Sequence, residues 1–453
     1  MAAQKVKIVF TSILLVNLVF ADLNNAQQPD IDTAIREEND SAVANFFTTE
    51  FSPNDKQYKS LFAFSAWPKN FQTRRKFILF LVKRAYYEDN AWREQFTFLC
   101  RKELKFLKDK HLHNREDVNS IRICVQTVGN ARLRDMFYDI ASFVAYPQLD
   151  VRKDTQETFS KFQDDRAFAL VVGLMDSSNP LERVYAIDAL DALKDERSIP
   201  VFIQALGDAN KSVRLYAMKS LESLGRTEAH PTYIQMITDD PDSEVRTKAI
   251  EIIIQYRPRN AYQQLTKAIS DHVPRVRRAA VQAIQQYTDA SAAFYVSEQL
   301  AEETENDLKK MEIDAIIHFG TSGGMKGLNT IMANESDFSL KLWAIYAAGL
   351  VKDQRGHTAL IQNLLHSDIR IRAETALSLG NLKNESSVQP LLNILKDSTE
   401  NYYVRSAALF GLERINSNSS VNPLLEIMEN IQNPFLKEQI RGTMQTMMNR
   451  RYK

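Results

Sequence analysis

One ten-residue stretch, Ser212-Val213-Arg214-Leu215-Tyr216-Ala217-Met218-Lys219-Ser220-Leu221, keeps returning along the chain in altered form. Its skeleton is an aliphatic residue, a basic residue, Ala three positions on, and an aliphatic residue four beyond that. The skeleton recurs at Val245-Arg246 with Ala249 and Ile253, and at Val276-Arg277 with Ala280 and Ile284. It recurs again at Ile369-Arg370 with Ala373 and Leu377, and at Val404-Arg405 with Ala408 and Leu412. Leu340-Lys341 and Glu182-Arg183 keep most of it, and Val151-Arg152, Leu308-Lys309 and Leu436-Lys437 are weaker copies. The basic positions are then separated by 31, 31, 32, 31, 32, 32, 29, 35 and 32 residues. A fixed period of this length marks a stacked repeat, in which each unit buries its apolar face only against its neighbours.

Within a unit the residues point to two helices. Val213, Ala217, Leu221 and Leu224 form one stripe at helical spacing. A second apolar segment lies upstream of each motif, as in Ile199 to Leu206 or Val388 to Leu395, and Pro200 or Pro390 falls in its first turn, where a missing N–H does no harm. Short polar turns containing Asp176, Asp208, Asp239, Asp271 or Asp397 join the two. Asp suits a turn that leads into a helix, because its side chain accepts from free backbone N–H groups. Gly and Pro number only 13 each, too few for an all-β chain. The expected fold is all-α: an α-solenoid of about ten helix-pair repeats over residues 150–453.

Pro in the first helix, Asp in the turn and Val-Arg opening the second helix resemble the HEAT-repeat family, in particular short bacterial HEAT-like repeats of the phycobilin-lyase type. Pro200, Asp208 and Val213-Arg214 reproduce the pattern, and Pro231, Asp239 and Val245-Arg246 do so with one extra turn residue. The resemblance implies a structural ladder of Asp and Arg between neighbouring repeats, here Asp208, Arg214, Asp239, Arg246, Asp271, Arg277, Arg370 and Arg405. It also implies a scaffold more than a catalyst. The 29- and 35-residue gaps around Arg370 predict a local break in the regular stacking.

The ends differ from the array. Residues 22–45 are polar and read as a loose lead-in. Residues 46–149 carry many aromatics in their first half, among them Phe62, Trp67, Phe77, Trp92 and Phe96, and read as an atypical helical N-terminal cap with degenerate repeats, one at Ile121-Arg122. Lys5 and Lys7 precede an apolar run from Ile8 to Ala21 that closes on Val19-Phe20-Ala21, the three-part layout of a signal peptide. The run is short for a membrane span. Residues 1–21 are therefore expected to be a cleaved signal, and the protein to be exported, to a periplasm first, with secretion or retention as a signal anchor as the alternatives. Cys100 and Cys124 either pair in that compartment or sit as small buried apolar groups.

Lys+Arg and Asp+Glu both number 57, so no overall charge draws the chain to nucleic acid or an anionic membrane. No catalytic, cofactor-binding or metal-ligating set is legible. The seven His are scattered and none precedes Glu, whereas di-iron hydroxylases built on HEAT repeats use paired His-Glu dipeptides. His111 and His113 beside Asp109 form at most a weak surface metal site. Gly320-Thr321-Ser322-Gly323-Gly324 lacks the strand and the Lys-Ser/Thr of a phosphate loop. Tyr185, Tyr216 and Trp343 share one motif position and read as packing residues. Arg257, Arg259, Lys267, Arg275 and Arg278 concentrate positive charge over two repeats and are the candidate partner-binding residues. The expected function is a scaffold or adaptor that holds a protein partner on a concave helical surface. A structural part of an envelope-spanning machine, or a lyase-like enzyme acting on an envelope protein, is the alternative.

Overall fold

The computed structural model describes residues 31–47, 55–67, 69–84, 87–110 and 113–451. Residues 1–21, expected from the sequence to be a signal, and His111 lie outside the described residues. Every regular element among them is helical. The chain divides into two compact units, Met1–Ser220 and Leu221–Lys453.

In the second unit, helix pairs follow one another: His230–Asp239 with Ser243–Tyr256, Tyr262–Ala268 with Pro274–Ile284, Ala292–Leu300 with Asn306–Phe319, Met325–Asn334 with Phe338–Val351, and so on to Val421–Asn430 with Pro434–Arg451. Each second helix packs on the second helix of the next pair, giving one layer of second helices, while the first helices form the other. The motif's aliphatic and Ala positions are the core: Val245, Ala249 and Ile253, or Val276, Ala280 and Ile284, are fully buried. Asp242, Asp337, Asp368 and Asn401 cap the second helices by accepting a backbone N–H. Most second helices end in a left-handed residue that turns the chain into the next pair. Gly225 and Gly320 supply that conformation without steric cost, but Arg257, Lys352, Lys383 and Asn416 adopt it with a side chain.

The first unit holds the N-terminal helices Asp55–Ser65, Phe71–Arg84, Asn90–Lys108 and Arg115–Asn130, followed by the repeats from Leu149–Phe162 onward. The aromatics expected to cap the array are largely core: Phe77, Trp92 and Phe96 are buried, and Trp92 stacks on Phe96 at 5.0 Å. One expectation is corrected at 31–45. This part of the lead-in forms the helices Ile31–Arg36 and Asp40–Asn45, with Ile31, Ala34, Val43 and Ala44 buried. Asp40 accepts from the amides of Gln72 and Thr73 at the start of Phe71–Arg84, so its polarity serves as a cap for another helix. Cys100 and Cys124 are both buried and free, and burial pushes the Cys100 thiol well up, with Cys124 beside it adding to the rise.

Candidate partner-binding face

The rungs between repeats fix how the second helices line up. Arg183 donates through Nε and Nη2 to both oxygens of Asp208, each at 2.7 Å, and Arg246 grips Asp271 in the same way. Arg277 takes Glu303, Lys309 takes Glu335 and Arg372 takes Glu400. Each arginine also donates through Nη1 to the carbonyl six residues earlier in its own turn: Ser177, Asp240, Asp271 and His366. The acid in turn accepts backbone N–H groups, as Asp208 does from Asn210 and Asp271 from Val273. Burial would raise the carboxyls of Asp208 and Glu303, yet both lie below their usual range because the arginine and these amides outweigh it.

These contacts differ from the expected set of ladder residues at four places. Asp208 and Arg214 are not one rung: Arg214 donates to the Asp208 carbonyl, and the Asp208 carboxylate belongs to Arg183. At Asp239 the extra turn residue shifts the register, and Asp240 supplies the turn carbonyl to Arg246. Arg370 is not in the ladder. It pairs with Asp368, remains 64% exposed and lies 3.8 Å from the Phe338 ring. The sequence Ile369-Arg370-Ile371-Arg372 offers the motif twice, and packing selects the second, burying Ile371, Thr375 and Leu379. Arg405 donates to the Leu395 carbonyl, because the following turn, Ile431-Gln432-Asn433, contains no acid.

With Arg372 as the rung, the irregular spacing and the expected break disappear. The second helices there approach closely enough to need glycine. A Cβ on Gly380 would lie 2.5 Å from the Gly411 Cα, and one on Gly349 would lie 2.6 Å from Ser378 Oγ. Ser378 Oγ donates to the Ile345 carbonyl at 3.0 Å, tying two of these helices directly.

Register now exposes a change in surface chemistry. Six residues after the buried aliphatic stand Glu251, Gln282 and Asp314, and then Tyr346, Leu377 and Phe410, all exposed except the half-buried Leu377. Two residues before it stand Ser243, Pro274 and Asn306, and then Phe338, Ile369 and Tyr402. Tyr346, Leu350, Ile369, Tyr403 and Phe410 are all exposed, Tyr403 to 72%. Trp343 stacks on Tyr346 at 5.1 Å and donates from Nε1 to Asp314 at 2.7 Å. Glu374 is the acid inside this face; burial raises its carboxyl, and Arg414 relieves it only in part. Large apolar groups in one exposed stretch are what a docking surface requires. The sequence reading missed it because it tracked the buried positions; comparing exposed positions repeat by repeat shows it.

The five basic candidates do not form one patch. Arg257 ends Ser243–Tyr256 and Arg259 opens the next turn, whereas Lys267 and Arg275 flank the opposite end of the Tyr262–Ala268 and Pro274–Ile284 pair. The eleven-residue helix between the two ends spans ~16 Å. Arg278 is half-buried on that helix. Of the three aromatics read as packing residues, Tyr185 does pack, under the Arg152 guanidinium at 3.9 Å, but Tyr216 is exposed. His113 is bonded to the Leu107 carbonyl and the Tyr146 hydroxyl.

The HEAT-repeat model matches residues 167–251, 230–317 and 325–402, together half of the chain. The chain belongs to the HEAT-repeat family. Solenoids of this family typically serve as protein-binding scaffolds. No curated protein matches the chain. Among solved structures, Kap121p bound to Ste12p is 12% identical with a TM-score of 0.40, covering 91% of this chain and 49% of that one. Human deoxyhypusine hydroxylase is 17% identical with a TM-score of 0.25, covering 71% and 99%. The CpcE–CpcF phycocyanin lyase of Nostoc sp. PCC7120 is 15% identical with a TM-score of 0.27, covering 55% and 94%. No helix among the described residues is long and apolar enough to cross a membrane.

Proposed function

We propose that this HEAT-repeat chain is an exported, non-enzymatic scaffold that docks a protein partner on the exposed face of its second helices between Phe338 and Arg414. The observation that carries the reading is the switch from Glu251, Gln282 and Asp314 to Tyr346, Leu377 and Phe410 at one register, exposed at all but the half-buried Leu377. Polar residues are the ordinary occupants of such positions, and their replacement by large apolar groups in three successive repeats gives a partner anchors to bury. The close seam at Gly349, Gly380 and Gly411 brings those anchors together on one stiff support. Export rests on the layout of residues 1–21, with the periplasm as the first destination, so the partner is an envelope or extracellular protein.

The test is a crosslinked affinity capture from native envelope extract, run with the wild-type chain and with Tyr346→Asp/Phe410→Asp. Both positions are exposed, and an unchanged circular dichroism spectrum checks that the variant keeps the fold. The expected result is one or two proteins at fixed stoichiometry with the wild type and their loss with the variant. Equal capture by the variant overturns the assignment of the face. The intact mass of protein from native cells reports the signal: loss of the first 21 residues is expected, and an unprocessed chain removes the support for export. Fixed stoichiometry within a large complex would instead make the chain a structural part of an envelope machine.

A further inference from the structure

Five rungs of the array share one plan, a base on a second helix and a carboxylate in the turn of the next pair: Arg183 with Asp208, Arg246 with Asp271, Arg277 with Glu303, Lys309 with Glu335 and Arg372 with Glu400. Arg405 stands at the same position, but the next turn places Ile431 and Gln432 where the others place the acid. Among the described residues Arg405 makes one hydrogen bond, from Nε to the Leu395 carbonyl at 3.0 Å. It makes neither the carboxylate bonds of the other rungs nor the Nη1 bond to its own turn that Arg246 and Arg372 make. The acids nearby are engaged elsewhere. Asp397 accepts from the Thr399 amide and hydroxyl at 2.8 and 2.7 Å, and Glu426 pairs with Lys396 at 3.4 Å.

The place of the missing acid is a cavity of about 280 Å³, lined by Lys396, Ser398 and Arg405 from one pair and by Ile431, Gln432 and Asn433 from the next turn. That is several times the space of one water molecule. Arg405 is half-buried, so a ligand reaches it from solvent. The border of the cavity changes character as well. Directly before the buried aliphatic of successive second helices stand Glu244, Arg275, Asp307, Ser339 and Arg370, and then Tyr403 and Phe435. These two aromatics are 72% and 76% exposed. Tyr403 lies two residues before Arg405 and Phe435 two after Asn433, which places both beside the cavity. Neighbouring second helices pack about 8–10 Å apart, a spacing that one short peptide spans.

We propose that this cavity takes a carboxylate from an acidic peptide of a partner protein, which completes at Arg405 the rung that the chain leaves open. A guanidinium fork grips a carboxylate through two N–H groups, as the other four arginine rungs do. An apolar residue of the same peptide rests on Tyr403 or Phe435. The site is separate from the Tyr346 and Phe410 anchors, and its test does not involve them.

Isothermal titration of the full chain with acetyl-Phe-Glu-amide, acetyl-Gly-Phe and acetyl-Phe-Gln-amide tests it. The first offers a side-chain carboxylate, the second a chain-terminal one and the third none, so the two acids read separately which source fits. The expected result is one site per chain for at least one acid, with the Gln peptide at least ~10-fold weaker, as loss of a charge-assisted hydrogen bond implies. Gln432→Glu, at an exposed position, sets an acid two residues before Pro434 as Glu400 stands two before Tyr402. It is expected to fill Arg405 from within the chain and to lower the acid's affinity ~10-fold or more. Arg405→Gln, checked for an unchanged circular dichroism spectrum, is expected to lower it as far. Absence of binding by both acids up to about 10 mM overturns the proposal, as does a Gln peptide that binds as tightly or an unchanged affinity in either variant.

Discussion

Arg246 holds Asp271 of the next repeat through Nε at 2.7 Å and Nη2 at 2.8 Å, while its Nη1 reaches back to the Asp240 carbonyl in its own turn. One planar side chain thus closes its own turn and fastens the following one, a job for which the guanidinium fork suits better than an ammonium. Both partners are almost fully buried, at 3% and 8% exposure. Arg246→Ala leaves the Asp271 carboxylate buried without its counter-charge and is expected to destabilise the unit by about 3–5 kcal/mol. The double variant Arg246→Met/Asp271→Asn is expected to lose less than Arg246→Ala alone. Urea midpoints of the three proteins check the order; a double variant worse than the single removes the ladder from the account of stability.

Glu312 occupies the motif position that is Ala in most repeats. It is fully buried in Asn306–Phe319, with neither carboxylate oxygen bonded. Burial first and the nearby Glu303 second raise its carboxyl from 4.5 to about 8, against a smaller opposing pull from Arg277. The folded chain therefore keeps this proton where the unfolded chain has released it. Its contribution to stability falls as pH rises from about 4.5 to about 8 and is level above. The loss is on the order of 5 kcal/mol. Glu312→Gln removes the titration. The difference in urea midpoint between the variant and the wild type should grow across that window and then flatten. A difference that does not change with pH would show that the carboxyl is already solvated.

Gly380 faces the Gly411 backbone, which cannot yield. Gly380→Ala is expected to force the two second helices apart and to destabilise by about 1–3 kcal/mol, despite the better helix propensity of Ala. Gly442, whose added Cβ would meet nothing, is the control, and Gly442→Ala should stabilise slightly. Thermal unfolding of both variants checks the contrast.

Lys383 ends Ile369–Leu382 at φ 54°, a left-handed conformation in which a side chain is disfavoured. Lys383→Gly is expected to stabilise by up to about 1 kcal/mol, unlike Gly substitutions in a helix interior. A lower unfolding temperature for this variant would mean that the lysine makes contacts outweighing its strain.

The fold was legible because a solenoid writes its core into the sequence once per repeat. Val213, Val245 and Val276 with their following arginines carry the same instruction, and agreement among copies outweighs any ambiguity in one. Where a copy was ambiguous, as at Ile369-Arg370-Ile371-Arg372, sequence spacing alone chose the wrong register, since only packing distinguishes two identical dipeptides. The rung partners were half legible: Asp208 and Asp271 serve as expected residue types, but Glu303, Glu335 and Glu400 stand in for Asp elsewhere, and which base meets which acid depends on the repeat offset. The second-helix face was legible in principle, because Tyr346, Leu377 and Phe410 share a register once Arg372 replaces Arg370. The buried ion pairs of the first unit, Arg74 with Glu103 and Arg75 with Asp117, were not, since these residues lie in helices outside the periodic array and only tertiary structure brings them together.

Arg405 finds no acid in the turn that follows it and settles for the Leu395 carbonyl. The final pair, Val421–Asn430 and Pro434–Arg451, is thus attached to the preceding pair without the rung that Arg372 and Glu400 form one repeat earlier. In a chain where each module meets only its neighbours, one weak joint sets where opening begins. The C-terminal pair becomes the loose page of the book, exchanging its amide protons ahead of the pages bound behind it.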